Sequence, residues 1–457
     1  MPATVNDIQS ALNETVVEEI VEVRSAEDVR AAIRRAGAEG KPVAIAGGRH
    51  AMGGQQFCSG GLLIDTRELD RVLSFDEEQG TIEVEAGIQW PALLDHVRSG
   101  PWAIAQKQTG ADRLSIGGAI AANVHGRGLA MKPFISDVQS VTLVDADGEV
   151  VRCSREENTE LFSLVHGGYG LFGCVVSASI QLVPRRVVER LVEVITIDEL
   201  ANGFEGRIRD GFLYGDFQFA TDAGSDDFLR RGVFSCYRPV EHEGPLPGGQ
   251  RALAREDWDR LIYLAHTDKA RAFEEYSAYY LGTTGQLYHS DAHQMADYAD
   301  GYHERIDRLL AAEHPATEMI TEIYVPRARL ADFMAAVAGD FREHGTDVIY
   351  GTIRLIERDD ESFLRWATDR WACIIFNLHT VHTLEGLERS AEAFRRLIDR
   401  AMERGGSFYL TYHRWASREQ LDACYPQLRE FLARKLVHDP EERFQSEWYR
   451  HHRELLA

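Results

Sequence analysis

The chain has 457 residues, 44% hydrophobic and 27% charged, enough for two or three domains with separate cores. Lysine and arginine number 50 against 73 aspartates and glutamates, a net charge of −23 that argues against nucleic acid or an anionic membrane as the main partner. It leaves room for a local basic pocket.

Met1 to Ser10 has neither a positive n-region nor an apolar h-region, and no run of about 18 uncharged apolar residues occurs. The six cysteines lack CxxC spacing and read as reduced thiols, so the expectation is a cytoplasmic protein without a disulfide frame or a zinc site.

In chain order, Ser25 caps a predicted helix that runs to Ala36 and ends near Gly37. An apolar β segment, Val43-Ala44-Ile45, leads into Ala46-Gly47-Gly48-Arg49-His50-Ala51-Met52-Gly53-Gly54. Its four glycines in nine residues allow backbone N–H groups to approach an anion closely. A diphosphate-binding loop that also presents an imidazole suggests a nucleotide cofactor with its reactive ring near His50; a tight turn with a surface histidine is the alternative. Short β segments follow at Leu62–Asp65, Val72–Phe75 and Thr81–Ala86, then a helix over Trp90–Val97. Val141–Val144, the turn Asp145–Gly148 and Glu149–Arg152 predict a hairpin. So few helices between short strands argue against a parallel doubly wound sheet.

Two more glycine clusters occur in this half. Gln108–Gly128 is rich in small and apolar residues, which suits backbone laid flat against a ring system, and Gly167–Gly173 precedes a strand. Beyond residue 186 longer helices are predicted at Arg327–Glu343 and Leu387–Arg404, with strands at Met319–Val325 and Cys373–Leu378 and a loop at Pro245–Gly249. Residues 406–457 form a polar, helix-prone tail.

The motifs AGGRHAMGG, TGADRLSIGGAIAANVHGRG, ISDVQSVTLVDADGEV and GGYGLFGCVVSASI resemble the FAD-linked oxidoreductases of the vanillyl-alcohol oxidase / p-cresol methylhydroxylase family. The last 50 residues resemble more weakly the oxidase component of decaprenylphosphoryl-ribose 2-epimerase and the alditol and aldonolactone oxidases. The resemblance implies an α+β fold: an FAD-binding domain over 1–185, an α+β substrate cap over 186–405, and a segment, 406–457, that returns to the FAD domain.

Carried onto this sequence, it implies that Gly47, Gly48, Arg49, Ala51, Met52, Gly53 and Gly54 hold the FAD diphosphate. His50 falls where many members bond the flavin covalently. Some members add a cysteine tether; the corresponding region here holds Ala111, and no cysteine lies between residues 59 and 152, which implies a single tether. Gly110, Ser115, Ile116, Gly117, Gly118, Ala122, Asn123 and His125 would line the isoalloxazine and diphosphate, with Val175 near the adenine. A small residue at Gly117 leaves room for oxygen in related oxidases.

The implied activity is oxidation of a hydroxyl on a sugar, polyol or sugar-containing metabolite, with hydride transfer to flavin N5 and reoxidation by molecular oxygen to peroxide. A dehydrogenase or epimerising oxidase using another acceptor, and a catalytically inert flavoprotein, are the alternatives. Arg354, in a segment like the alditol-oxidase Glu-x-Arg strand but with Thr352 at the acidic position, would polarise the substrate oxygen or face the flavin; an ordinary strand salt bridge is the other reading. Tyr409 matches a flavin-contacting tyrosine. Tyr412 stands where relatives have a catalytic lysine, so Tyr412 or the adjacent His413 is the candidate base. Glu322 is a candidate for bonding a substrate hydroxyl. His289 and His293 have i, i+4 spacing within a run that continues to Tyr298, Tyr302 and His303, but no third ligand is placed by spacing and no metal is expected. His379 and His382 could face the pocket.

Overall fold

In the computed structural model, which describes residues 2–296 and 301–457, the N-terminal strands build a three-stranded and a five-stranded sheet, beside two two-stranded pairs, rather than one wound sheet. Tyr298 lies outside the described residues. The strands Glu19–Glu22, Leu62–Asp65 and Val43–Ala46 pair in parallel, with the helix Ala26–Ala38 as the crossover that such pairing requires. Ser25 Oγ accepts the Asp28 N–H at that helix's start, and Val29, Ala32, Ile33 and Ala36 form its buried stripe. The second sheet is antiparallel, in the order Val150–Ser154, Val138–Val144, Cys174–Gln181, Thr81–Glu85, Val72–Asp76. It contains the expected hairpin, closed at Asp145–Gly148, where Asp145 Oδ1 accepts two backbone N–H groups and Gly148 takes φ +77°.

A larger antiparallel sheet follows. Its strand order is Leu287–His289, Val187–Thr196, Arg231–Val240, Tyr214–Phe219, Val348–Ile356, Trp371–Val381, Ala316–Pro326, Ser407–Phe408. The helices Ile197–Arg209, Leu330–His344 and Leu384–Met402 cover one face. The other face looks back toward the glycine loops, and the helices Arg255–Thr267 and Lys269–Leu281 close over its side. Side chains alternate between faces along a strand, so Glu318, Ile320 and Glu322 share the inner face with Tyr350, Thr352 and Arg354, and with Ile375 and Asn377. Register sets Thr352 and Glu322 on opposite sides of Ile375, and Arg354 and Tyr324 on opposite sides of Cys373. Two cavity-facing polar residues are thereby held one strand apart.

The tail starts as the last strand of this sheet, Ser407–Phe408, and then crosses back to the N-terminal sheets. Val43 N–H donates to Arg443 O at 2.7 Å and Gln445 N–H to Val43 O at 2.9 Å, adding Phe444 beside the parallel sheet. The turn that allows this is held by Asp439, whose oxygens accept the Arg443 and Phe444 N–H groups and the Lys435 ammonium at 2.7 to 2.8 Å. Lys435 and Asp439 are fully buried. No helix among the described residues is long and apolar enough to cross a membrane.

Replacing Asp439 by Ala strands a buried ammonium and two backbone donors together. The expected cost is about 3–5 kcal/mol of stability, read as a lower denaturant midpoint with an unchanged m-value.

Candidate active site

The glycine loops pack on one another so closely that side chains are excluded. A Cβ on Gly47 would lie 2.1 Å from Ser115 Oγ, and one on Gly48 would lie 2.2 Å from the Arg113 carbonyl oxygen. Arg49 takes φ +58°, which turns the chain, and its guanidinium pairs with buried Asp65 at 2.9 Å. Arg67 bonds the same carboxylate, and although burial opposes it, the Arg67 bonds and the Arg49 charge hold the Asp65 carboxyl below its ordinary value. Ser115 Oγ accepts the Gly118 N–H, fixing the second loop, and Lys107 anchors its approach through Asp112 and the Gln108 and Gln294 carbonyls. In the third loop Gly167, Tyr169, Gly170 and Gly173 all have positive φ. Tyr169 ties it to the tail by bonding Thr411 Oγ1 at 3.2 Å and packing on Trp448.

These loops and the inner face of the large sheet enclose a cavity of about 740 Å³. Of the residues anticipated for the cofactor, His50, Gly47, Gly48, Arg49, Ala51, Met52, Gly110, Ser115, Gly117, Gly118, Ala122, His125, Val175 and Tyr409 border it. Four anticipated residues do not. Gly53 donates its N–H to Gln55 Oε1, and Gly54, at φ +76°, sits against Glu447 and Arg414. Ile116 belongs to the apolar core. Asn123 spends its amide on Ile135 N–H and Asp359. A Cβ on Gly117 would meet Ala86 at 3.1 Å, so the close approach of Ala86 accounts for glycine there.

Glu322 is the centre of the polar chemistry. It is 1% exposed, and its Oε1 lies 2.6 Å from His125 Nε2 and accepts the Tyr324 hydroxyl. His125 Nδ1 lies 3.1 Å from the Gly126 carbonyl oxygen, which accepts a hydrogen bond where Nδ1 carries the hydrogen. Burial pushes the Glu322 carboxyl up, but the His125 charge and bond, the Tyr324 bond and the Arg354 charge outweigh it and hold it below its ordinary value. Arg354, 7% exposed, and Thr352 reach the same cavity, and Arg354 Nε and Thr352 Oγ1 have no hydrogen-bond partner among the described residues. Arg354 makes no strand salt bridge among the described residues, and its Nε is available to a ligand.

The two tail candidates separate. Tyr412 borders the cavity edge-on to Tyr409, and burial pushes its phenol far above the ordinary value, so it stands as a neutral hydrogen-bond donor. His413 points the other way: it stacks on Phe394 at 4.6 Å, packs against Trp415 and contacts Thr321 Oγ1. Burial pushes it down to about 3, and it does not reach the cavity, so the expectation of a base at His413 is corrected. Farther out, sequence reasoning missed a group of aromatic and charged residues. Arg190 lies over the Tyr237, Tyr280 and Tyr288 rings, Arg127 faces Asp216, and His293 stacks on Tyr237 at 4.3 Å. Of this group, only Tyr288 and His293 fall in the run dense in aromatic and imidazole groups that the sequence offers as a substrate-facing or cap loop.

Residues 17–154 match the family described as "FAD binding domain". The L-gulono-1,4-lactone dehydrogenase of Mycobacterium tuberculosis is 24% identical, aligned over 94% of this chain and 95% of that protein. The L-gulonolactone oxidase of Bos taurus is 27% identical over 40% of this chain and 42% of its own length. Cytokinin dehydrogenase 5 of Arabidopsis thaliana is 28% identical over 68% of this chain and 59% of its own. The chain is an FAD-linked oxidoreductase of the vanillyl-alcohol oxidase / p-cresol methylhydroxylase family. The glycine cradle fits that cofactor: the loops that a Cβ would fill border one continuous cavity, and His50 projects from the first of them. In this flavoprotein the Gly48→Ala exchange should disturb the cradle by about 1–3 kcal/mol. Purified protein should then retain FAD roughly ten- to a hundredfold more weakly, measured from the ratio of flavin to protein absorbance during dilution.

Proposed function

We propose that this protein oxidises a secondary or lactol-type hydroxyl of a sugar, sugar lactone or polyol, with FAD bonded to His50 and with the Glu322–His125 pair receiving the hydroxyl proton. The observation that carries the reading is the buried Glu322–His125 pair beside two cavity-facing polar atoms, Arg354 Nε and Thr352 Oγ1, that lack partners among the described residues. Residues 1–185 and the tail 406–457 would hold the cofactor, and 186–405 the substrate. The full-length alignment to a gulonolactone dehydrogenase supports a polyhydroxylated substrate.

FAD, when bound, supplies the two-electron acceptor for the carbon-bound hydrogen. The chain supplies the rest. Arg354 and Thr352 bind and orient the substrate oxygen. Glu322 is charged at neutral pH and accepts the hydroxyl proton, while His125 and Tyr324 hold its carboxylate in place. Tyr412, beside the Glu322 carboxylate, stands as a neutral hydrogen-bond donor to that carboxylate or to the substrate. His50 borders the cavity and is the sole residue of the cradle's first loop with a nucleophilic ring nitrogen, which supports a single tether there; Ala111 at the cavity wall offers no second one. Oxygen or another small acceptor completes the cycle. The dehydrogenase name of the relative aligned along the whole chain favours the second, and peroxide release measured against dye reduction separates them.

Glu322→Gln keeps the shape but removes the base. The rate of anaerobic flavin bleaching by L-gulono-1,4-lactone and a sugar and polyol panel should fall by roughly 10²–10⁴-fold with the flavin still bound; an unchanged rate would remove Glu322 from the reaction. Since the folded Glu322 carboxyl ionises below its unfolded value, the pair stabilises the fold fully above that unfolded value and loses the contribution as pH falls through the folded one. Wild type should therefore lose more stability on acidification than Glu322→Gln, measured by thermal unfolding across the acid range. Acid-precipitated wild type should stay yellow, and precipitated His50→Ala should be colourless; a yellow His50→Ala pellet would refute the tether.

A further inference from the structure

We propose that His266, His303, Glu318 and His379 form a binding site for a divalent cation of the zinc class at the end of the cavity remote from Glu322. The four residues come from four elements: the helix Arg255–Thr267, the helix Tyr302–Leu310, the strand Ala316–Pro326 and the strand Trp371–Val381. Glu318 and His379 are direct cross-strand partners, which places their side chains side by side on the inner face. His266 Nε2 lies 3.1 Å from Glu318 Oε1, His303 Nδ1 lies 2.7 Å from Oε2, and His379 Nδ1 lies 3.5 Å from Oε1. The ligand atoms of His266, Glu318 and His379 all fall within 4.8 Å of one another.

Three imidazoles around one buried carboxylate are more than an ion pair needs. One protonated histidine would neutralise Glu318, yet His266 Nε2, His303 Nδ1 and His379 Nδ1 all turn toward this one carboxylate, and His303 Nε2 is buried without a hydrogen-bond partner among the described residues. More imidazoles than the carboxylate's charge requires are therefore gathered in one place, as a cation's ligands would be. Three neutral imidazoles and a carboxylate carry one negative charge, which a divalent ion reverses to one positive. The Tyr302 hydroxyl donates to Oε2 at 2.5 Å and orients the carboxylate, as groups behind metal ligands commonly do. The nearby Lys269 ammonium is turned aside onto the Ala265 and Val348 carbonyls and does not fill the place of the cation.

A nitrogen-rich set with one carboxylate suits tetrahedral Zn²⁺ or Co²⁺ rather than Mg²⁺ or Ca²⁺. Glu318 and Tyr302 border the cavity, so the ion is within reach of a ligand. Four residues of strand separate Glu318 from Glu322, about 13 Å. At that distance the ion would hold the far end of an extended substrate and take no part at the reacting atoms.

The test uses whole, flavin-loaded protein stripped with a chelator and titrated with Co²⁺ alone and with Zn²⁺ alone. The expected result is one equivalent bound with the visible d–d bands of a tetrahedral ion. Glu318→Gln and His379→Ala, each checked for intact flavin absorbance, should weaken binding by at least about tenfold. Absence of uptake by wild type, or uptake equal in wild type and both folded variants, would overturn the site.

Discussion

A carboxylate buried to 1% exposure must be charged or neutral at a large difference in cost, and at Glu322 the neighbours decide. His125 comes from the second glycine cluster and Glu322 from the cap sheet, so their 2.6 Å contact spans the two halves of the molecule. That contact works only if the glycine loops sit close to the sheet, and they do so because Gly47 and Gly48 present bare backbone to the Arg113–Ser115 segment. The tail adds a third constraint: Tyr409 donates its hydroxyl to the Ala122 carbonyl and packs on Trp366, closing the joint from behind. The cradle for the cofactor and the charge state of Glu322 are thus consequences of one close packing.

The cavity combines this fixed centre with a less constrained outer region. Near Glu322 the polar groups come from the two strands that flank Trp371–Val381, whose spacing cannot change without breaking ladder bonds. Farther out, Arg190 and Tyr237 stand on interior strands, but Tyr280 and Tyr288, which pack on Arg190, are presented by a helix and by the edge strand, positions that can vary more freely. Precision at the reacting end and adaptability at the specificity end follow from where in the sheet each group stands.

Local features of the chain were legible in the sequence. The hairpin at Asp145–Gly148, the capped helix from Ser25 and the glycine loops each depend on residues close together along the chain. Pairings across long separations were not. Glu322 could be picked out by strand alternation, but its partner His125 lies 197 residues away and had been read only as a cofactor contact. Tyr412 and His413 are neighbours in an irregular segment, where no fixed period tells which side chain turns inward; aromatic packing on Phe394 draws His413 into the core. Gly53 and Gly54 extend the glycine signature beyond the part that meets the cavity, because glycine also serves turns and close packing.

The same limit explains the histidines. Spacing drew attention to His289 and His293, yet His293 stacks on Tyr237 and the two make no common site with a carboxylate. The group that converges, His266 and His379 with Glu318, joined by His303 on the other carboxylate oxygen, has no two members within a few residues of one another, and the cross-strand register of Glu318 with His379 helps bring it together. Glu318 and Glu322 then become two outcomes of one rule. Both are buried carboxylates on the inner face of one strand, four positions apart, and each is surrounded by groups that favour its charge. Glu322 meets one histidine, one tyrosine hydroxyl and a nearby arginine, which leaves a charged carboxylate suited to accept a substrate proton. Glu318 meets three imidazoles, more than its single charge requires, which suits a bound cation better than a moving proton. The number of imidazoles around each carboxylate divides the strand into a reacting end and an anchoring end.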